Sequence, residues 1–128
     1  MSRPKVLLVD DYLDSLEVWA MYLNAEGFDV STAADGLSAL ALITSTQLDV
    51  IVMDLDLPGM TGIEVAKAFR AQAAVPRIPL IAVTGHTGTR LDAAREAGFD
   101  AALVKPCAPD ALTSQIRQLL ASRPTQLS

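Results

Sequence analysis

The sequence predicts an α/β fold in which helices cover both faces of a parallel sheet. Three short apolar runs, at 6–9, 50–53 and 80–83, contain β-branched residues and are bounded by polar or turn residues. Continuous runs of this kind are typical of strands that are buried on both faces. A helical pattern follows each predicted strand, and the strand–helix unit recurs five times. This regular alternation favours a parallel sheet between two layers of helices.

The first strand–helix unit combines the apolar run at 6–9 with a helix over 13–26. The helix is indicated by Leu16, Trp19, Ala20 and Leu23, which lie on one helical face. Gly27 follows as a C-terminal cap, because glycine readily adopts the left-handed conformation that ends many helices.

The second and third units are predicted at 28–45 and 50–73. A weaker strand candidate at 28–32 precedes a helix over 36–45, and the strand at 50–53 precedes a helix over 61–73. The apolar face of the second helix is predicted to contain Leu37, Leu40, Ala41 and Thr44. The apolar face of the third is predicted to contain Ile63, Ala66, Ala68 and Phe69.

The last two units follow the same pattern. The strand at 80–83 precedes a short helix over 89–97, and a weaker strand at 101–104 precedes a helix over 108–121. The charged run at 90–100 is predicted to be a solvated helix face. We assign residues 1–122 to one domain and residues 123–128 to a polar, frayed tail.

Composition argues against several classes of protein. The 128 residues are 51% apolar, which is enough for the core of one domain. A net charge of −5 argues against a nucleic-acid footprint, which needs a basic surface, and against an anionic membrane surface. The apolar run at 6–9 is too short for a signal peptide, and no apolar segment has the length of a membrane span. The expected compartment is therefore the cytoplasm.

The counts of cysteine and histidine restrict the chemistry further. Cys107 and His86 are the only residues of their types. One cysteine cannot form a disulfide framework within the chain, and this pair of residues argues against a zinc site or a catalytic histidine network. His86 is expected to be a solvent-facing loop residue, Cys107 a small residue at a helix start, and Trp19 a packing residue.

Polar side chains gather at the ends of the predicted strands. Asp10 and Asp11 follow the first strand, and Asp54 and Asp56 follow the third. The fourth and fifth strands are followed by Thr84 and by Lys105 with Pro106. Because the carboxyl ends of parallel strands meet at one edge of a sheet, where ligands bind in open α/β folds, these groups are expected to converge there.

Crowded carboxylates repel one another and require positive charge nearby. Lys105 is one source, and a hard divalent cation such as Mg²⁺ or Mn²⁺, which prefers oxygen ligands, is the other. A carboxylate beside such a cation can attack phosphorus as a nucleophile, while a lysine and a hydroxyl stabilise the transferring group. The predicted strand ends supply all of these groups.

Four motifs in this order, "LLVDD", "VIVMDLDLPGMTG", "LIAVTG" and "GFDAALVKP", resemble the receiver domain of bacterial two-component response regulators. The resemblance covers roughly 5–121. It implies a flavodoxin-like, doubly wound (βα)5 fold with a five-stranded parallel sheet in the order 2-1-3-4-5. It also implies a cis peptide bond before Pro106.

The resemblance assigns a role to each residue at the strand ends. Asp54 would accept a phosphoryl group from a phosphohistidine, with Thr84 and Lys105 contacting the phosphoryl oxygens. Asp11 would bind Mg²⁺ directly and Asp10 largely through water, while Asp54 and the backbone carbonyl of Asp56 would be further ligands. The chain would act as a signalling switch, with only self-phosphotransfer and slow autodephosphorylation as its chemistry.

The resemblance also implies partners. The phosphoryl donor would be a sensor histidine kinase or a histidine phosphotransfer protein. An output partner or a second copy would bind the face formed by the fourth helix, the fifth strand and the fifth helix, with no direct contact to nucleic acid or membrane. The sequence departs from the family at Ala102, where an aromatic switch residue is common, and at Gly85, where alanine is common.

Other interpretations of the same residues are open at this point. Asp11 could cap the first helix, Asp54 could be a turn residue before Pro58, and Lys105 could be a solvated charge. Asp54-Leu55-Asp56 matches half of the signature of haloacid-dehalogenase-type phosphatases, although Leu57 and the early position of Asp10 and Asp11 do not fit it. A receiver-like binding module that is never phosphorylated, and an FMN carrier, are further alternatives.

Overall fold

A computed structural model describes residues 3–72, 77–85 and 89–122, without the side chains of residues 89 and 90. Five strands alternate with five helices. The strands are β1 (Lys5–Val9), β2 (Asp29–Ala33), β3 (Val50–Asp54), β4 (Leu80–Thr84) and β5 (Ala101–Val104). The helices are α1 (Leu13–Ala25), α2 (Gly36–Ser45), α3 (Gly62–Arg70), α4 (Thr89–Ala97) and α5 (Pro109–Ala121).

All four strand pairings are parallel, and the order across the sheet is β2-β1-β3-β4-β5. This confirms the predicted doubly wound (βα)5 architecture with the order 2-1-3-4-5. The two apolar central strands, β1 and β3, lie side by side with Val6 opposite Val50 and Val9 opposite Met53. Their carboxyl ends therefore bring the residues that follow Val9 close to Asp54.

Each face of the sheet has its own apolar cluster. Side chains alternate between the faces along a strand, so Leu7 and Ile51 pack with α2, α3 and α4, whereas Leu8 and Val52 pack with α1 and α5. Both clusters are formed by side chains that are almost fully buried. Burial on both faces explains why these strands are continuous apolar runs in the sequence.

The ends of α1 and α3 follow from local chemistry. Gly27 has φ +101° and follows Glu26, the C-cap residue of α1, which confirms its predicted role in ending the helix. The prediction that α3 extends to Ala73 is wrong in its last turn, because α3 ends at Arg70. The amide of Gln72 donates to the Phe69 carbonyl at 3.1 Å, a tightened turn that closes the helix, and Ala73 lies outside the described residues.

The predicted buried face of α2 is wrong at three of its four positions, and only Leu40 packs against the core. Leu37 is 71% exposed, and Ala41 and Thr44 are exposed too, whereas Ala39 and Ile43 are buried. The helix is apolar on several sides, so its periodicity does not distinguish the faces. Gly36 sets the orientation, because a Cβ at this position would lie 2.7 Å from the Met60 carbonyl oxygen. The close approach turns the face that carries Gly36, Ala39 and Ile43 toward the core.

Candidate functional site

Three carboxylates meet at the edge of the sheet where the strands end. Asp10 and Asp11 follow β1, and Asp54 is the last residue of β3. One carboxylate oxygen from each residue lies within 4.8 Å of one oxygen of each of the other two. Asp10 and Asp54 are buried and Asp11 is exposed, so the cluster has one side open to solvent.

Backbone amides orient the two buried carboxylates. The amide of Tyr12 donates to Asp10 Oδ1 at 3.0 Å, and the amide of Asp56 donates to Asp54 Oδ1 at 2.9 Å. Each carboxylate thus bonds the chain two residues ahead, a local turn that aspartate favours. The alternative in which Asp11 caps α1 is wrong, because Tyr12 is the N-cap residue and no side chain caps the helix.

Lys105 connects the strand ends across the sheet. Its Nζ lies 2.8 Å from Asp54 Oδ2 and 3.5 Å from Asp10 Oδ2, so it is an ion-pair partner rather than a solvated charge. Burial alone would lower the pKa of Lys105, but the hydrogen bond and charge of Asp54, together with Asp10, outweigh burial and raise it. The lysine therefore remains an ammonium at neutral pH.

The backbone holds Lys105 in place beside β4. The Lys105 amide donates to the Thr84 carbonyl at 2.7 Å, and the Lys105–Pro106 peptide bond is cis, as the resemblance implied. Thr84 ends β4, next to the strand that carries Asp54, and is fully buried. Asp56 has an exposed side chain just beyond Asp54. His86 lies outside the described residues.

Sequence reasoning did not identify Gly62 as part of this site. A Cβ at Gly62 would lie 2.5 Å from the Asp54 carbonyl oxygen and 2.9 Å from the Cα of Leu55. Glycine therefore allows the start of α3 to approach the end of β3. The sequence shows Gly62 near the start of the helix that follows the Pro58-Gly59 turn. Its closeness to Asp54 is visible only in the folded structure.

The donor set fits a hard divalent cation. Asp10, Asp11 and Asp54 are oxygen ligands of the kind that Mg²⁺ and Mn²⁺ prefer. Lys105 supplies one positive charge against three carboxylates, which leaves an excess of two negative charges among these four groups. A cation at the open side of the cluster would offset this excess.

The sequence matches the family model of the response regulator receiver domain over residues 6–117. The chain belongs to this family. It is 36% identical over 118 residues to the DNA-binding response regulator MtrA of Mycobacterium tuberculosis strain H37Rv, with 92% of this chain and 51% of MtrA aligned. It is 37% identical over 123 residues to the transcriptional regulatory protein PrrA of Mycobacterium leprae, with 96% of this chain and 52% of PrrA aligned.

Solved receiver structures share the fold. The chemotaxis response regulator CheY4 of Vibrio cholerae superposes with a TM-score of 0.86 at 34% identity, covering 92% of this chain and 99% of CheY4. The receiver domain of the sensor histidine kinase PA1611 from Pseudomonas aeruginosa PAO1, which carries magnesium in its active site cleft, has a TM-score of 0.85 at 29% identity, covering 95% and 100% of the two chains.

These comparisons confirm a receiver domain of two-component signalling and favour the phosphoacceptor interpretation over the phosphatase alternative. Receiver domains typically act as switches, and response regulators take phosphoryl groups from histidine kinases. The chain spans about half the length of the curated relatives it matches. Among the described residues, no helix has the length and apolar character needed to cross a membrane.

Proposed function

We propose that Asp54 is the residue that accepts the phosphoryl group. The observation that carries this proposal is the contact of 2.8 Å between Asp54 and Lys105, directly beside the carboxylates of Asp10 and Asp11. Asp54 combines a nucleophilic oxygen with a nearby cation and an open approach from the Asp11 side. Thr84 and Lys105 are the proposed contacts of the phosphoryl oxygens.

The proposed transfer uses the groups in fixed positions. An oxygen lone pair of Asp54 attacks phosphorus, the bond between phosphorus and the donor imidazole nitrogen breaks, and its electron pair returns to that nitrogen. The Asp56 amide holds the Asp54 carboxylate while this occurs, because it donates to Oδ1 at 2.9 Å. The Lys105 ammonium exchanges its bond to Asp54 for one to a phosphoryl oxygen, and the Thr84 hydroxyl donates to another.

A bound Mg²⁺ or Mn²⁺ would supply positive charge that offsets repulsion between the carboxylates and the phosphoryl oxygens. Asp10, Asp11, Asp54 and the carbonyl of Asp56 are the proposed ligands. Two observations support this assignment: one carboxylate oxygen from each of Asp10, Asp11 and Asp54 lies within 4.8 Å of one oxygen of each of the other two, and the PA1611 receiver, of the same fold, carries magnesium in its cleft.

The proposed role is a switch that takes its phosphoryl group from a sensor histidine kinase or a histidine phosphotransfer protein, in the cytoplasm. We assign the receiver unit to residues 1–122. The proposed surface for an output partner or a second copy is the face formed by α4, β5 and α5. On this face Ala102 and Val104 are exposed, and alanine replaces the aromatic residue that is common in the family.

Intact mass after incubation with acetyl phosphate tests the proposal. The wild type is expected to gain one phosphoryl group only when Mg²⁺ is present, and Asp54→Asn is expected to gain none. Asp14→Asn is the matched control, because Asp14 is a nearby exposed carboxylate of α1 outside the cluster. Uptake by Asp54→Asn at the wild-type rate would remove Asp54 from its role. A wild type that accepts nothing from acetyl phosphate or from a phosphohistidine protein would instead favour a binding module.

A further inference from the structure

Two cavities lie beside the carboxylate cluster, on the face of the sheet covered by α1 and α5. The inner cavity has a volume of about 20 Å³, which is room for one water molecule, and Asp10, Asp54 and Lys105 line it together with apolar side chains. The outer one is an open groove of about 490 Å³, and Asp10 and Lys105 line it too, with Ser15 of α1. The site therefore has a second side, distinct from the solvent side at Asp11.

Trp19 lines both cavities. It is a half-buried residue of α1, and its indole meets the ring of Tyr22 edge to face, with centroids 6.4 Å apart. Asp10, Val83 and Lys105 line both spaces too, and Trp19 is the bulkiest of these four side chains. The indole is therefore more than the packing residue that the sequence predicted, because it lines both cavities together with Lys105.

The side chain of Lys105 is less confined by its surroundings than those of Asp10 and Asp54. Its side chain is 39% exposed, whereas those of Asp10 and Asp54 are 12% and 9% exposed. A lysine stem has four flexible carbons and ends in a point charge with no preferred plane. The groove offers the ammonium positions away from Asp54, and a displacement of about 1 Å in a reacting group can slow a reaction about a hundredfold.

We propose that Trp19 is a positioning residue for Lys105. The indole limits the room that the groove leaves to the lysine side chain and keeps the ammonium over Asp54, so that it is in place when phosphorus is attacked. This inference rests on the proposed function of Asp54 as phosphoacceptor. It assigns to Trp19 a kinetic role that its contribution to packing does not require.

A double-mutant cycle tests the inference, with the initial rate of phosphoryl uptake from acetyl phosphate at saturating Mg²⁺ as the readout. Trp19→Ala is expected to slow uptake about tenfold, within the range that misplacement of a reacting group produces. In a Lys105→Ala background the same substitution is expected to change the rate less than about twofold, because the two residues act as one unit. Trp19→Phe keeps an aromatic wall and is expected to restore most of the rate.

Controls separate positioning from packing. Tyr22→Ala removes the edge-to-face partner of Trp19 on the same helix, and it is expected to lower the melting temperature while leaving the uptake rate unchanged. If Trp19→Ala does not fold, Trp19→Leu replaces it in the double-mutant cycle, since leucine preserves apolar volume without the flat indole. All rates are measured well below the melting temperature of each variant.

An equal slowing by Trp19→Ala with and without Lys105, or wild-type uptake by a folded Trp19→Ala or Trp19→Leu, would overturn the inference. Slowing by Tyr22→Ala to the same extent would also overturn it, by assigning the effect to packing of α1. A wild type that takes up no phosphoryl group would remove the proposed function and this inference with it. If the wild type is phosphorylated but the effects of the Trp19 and Lys105 substitutions are additive, only the positioning role of Trp19 is removed.

Discussion

A carboxylate is paired with cationic side chains at each of the two edges of the sheet, where the strands end and where they begin. The balance of negative and positive groups around the carboxylate differs between the two edges. At the edge where the strands end, Asp54 meets one lysine, which is 39% exposed, and shares its surroundings with two more carboxylates. At the edge where the strands begin, Asp100 meets both Arg70, at 3.1 Å, and Arg77. The Leu80 amide adds a third donor to Asp100 at 2.8 Å.

The difference separates a structural ion pair from the pair that we propose to be reactive. Arg70 also donates to the Gly98 carbonyl at 2.9 Å, so its planar guanidinium connects the end of α3 to the loop before β5. Asp100 is thus surrounded by donors that join three parts of the chain. Asp54 has less neutralising charge than its neighbourhood requires, which favours the binding of a cation, and a bound cation would offset the repulsion of an anionic donor.

The largest expected effect concerns the two cations. Lys105→Ala is expected to slow phosphoryl uptake about a hundredfold, because a charged donor to the transferring oxygens is lost. Removing Arg70, the corresponding cation at the other edge, is expected to leave the uptake rate unchanged. Initial rates from acetyl phosphate by intact mass measure both. An equal loss in the Arg70→Ala protein, measured while it is folded, would contradict the distinction between the edges.

The second prediction concerns Mg²⁺ and stability. A ligand that binds only the folded state at a hundred times its dissociation constant stabilises it by about 2.7 kcal/mol. We expect Mg²⁺ to raise the free energy of unfolding of the wild type by about this amount, and Asp11→Asn to lose most of the gain. Urea unfolding with and without Mg²⁺ measures the effect, and Asp100→Asn serves as a control that should keep the full gain.

The third prediction concerns stability at the edge where the strands begin. Asp100→Ala is expected to lower the free energy of unfolding by about 2 kcal/mol, because two guanidinium groups and a strand amide lose their acceptor. Asp92→Ala is the matched control: Asp92 pairs with Arg95 at 3.7 Å, both are at least 70% exposed, and such pairs contribute less than about 1 kcal/mol. Similar losses in the two variants would show that the cluster at Asp100 is no stronger than a surface pair.

The carboxyl edge could be predicted from the sequence, whereas the other edge could not. Asp10, Asp54 and Lys105 follow apolar strands directly, and a parallel sheet brings strand ends together wherever the helices lie. Asp100 belongs to the charged run at 90–100 that was predicted to be a solvated helix face. Its partners Arg70 and Arg77 are 30 and 23 residues away, at positions that no periodic pattern marks.

The buried faces of the helices could likewise be predicted from the sequence only in part. The face of α1 was predicted correctly, since Leu16 and Leu23 are buried and Trp19 and Ala20 pack against the same apolar cluster. The face of α2 was not, because that helix is apolar on most sides and its orientation is set by the contact of Gly36 with the loop at Met60. The position of Trp19 beside both cavities likewise depends on where the fold places α1 relative to Val83 and Lys105, which line the same cavities, and sequence periodicity does not describe this.

The smallest expected effect concerns the loop that joins the Asp54 strand to α3. The Thr61 hydroxyl accepts from the Glu64 amide at 3.2 Å, and the Glu64 carboxylate accepts from the Thr61 amide at 3.0 Å, which forms a capping box. The Gly62 amide donates to the Leu55 carbonyl at 3.0 Å, so the loop from Leu55 to Thr61 is fixed at both ends. That loop carries Asp56, whose amide holds the Asp54 carboxylate.

Thr61→Ala is therefore expected to lower the free energy of unfolding by about 1 kcal/mol, the usual loss for an N-cap residue. Thr44→Ala is the matched control, because the Thr44 hydroxyl bonds the Leu40 carbonyl within α2 at 3.0 Å, a bond that contributes little to a helix. Because the same loop orients Asp54, Thr61→Ala is also expected to slow phosphoryl uptake slightly, which Thr44→Ala and Asp100→Ala should not do. A stability loss with an unchanged uptake rate would mean that the Asp56 amide holds Asp54 without help from the cap.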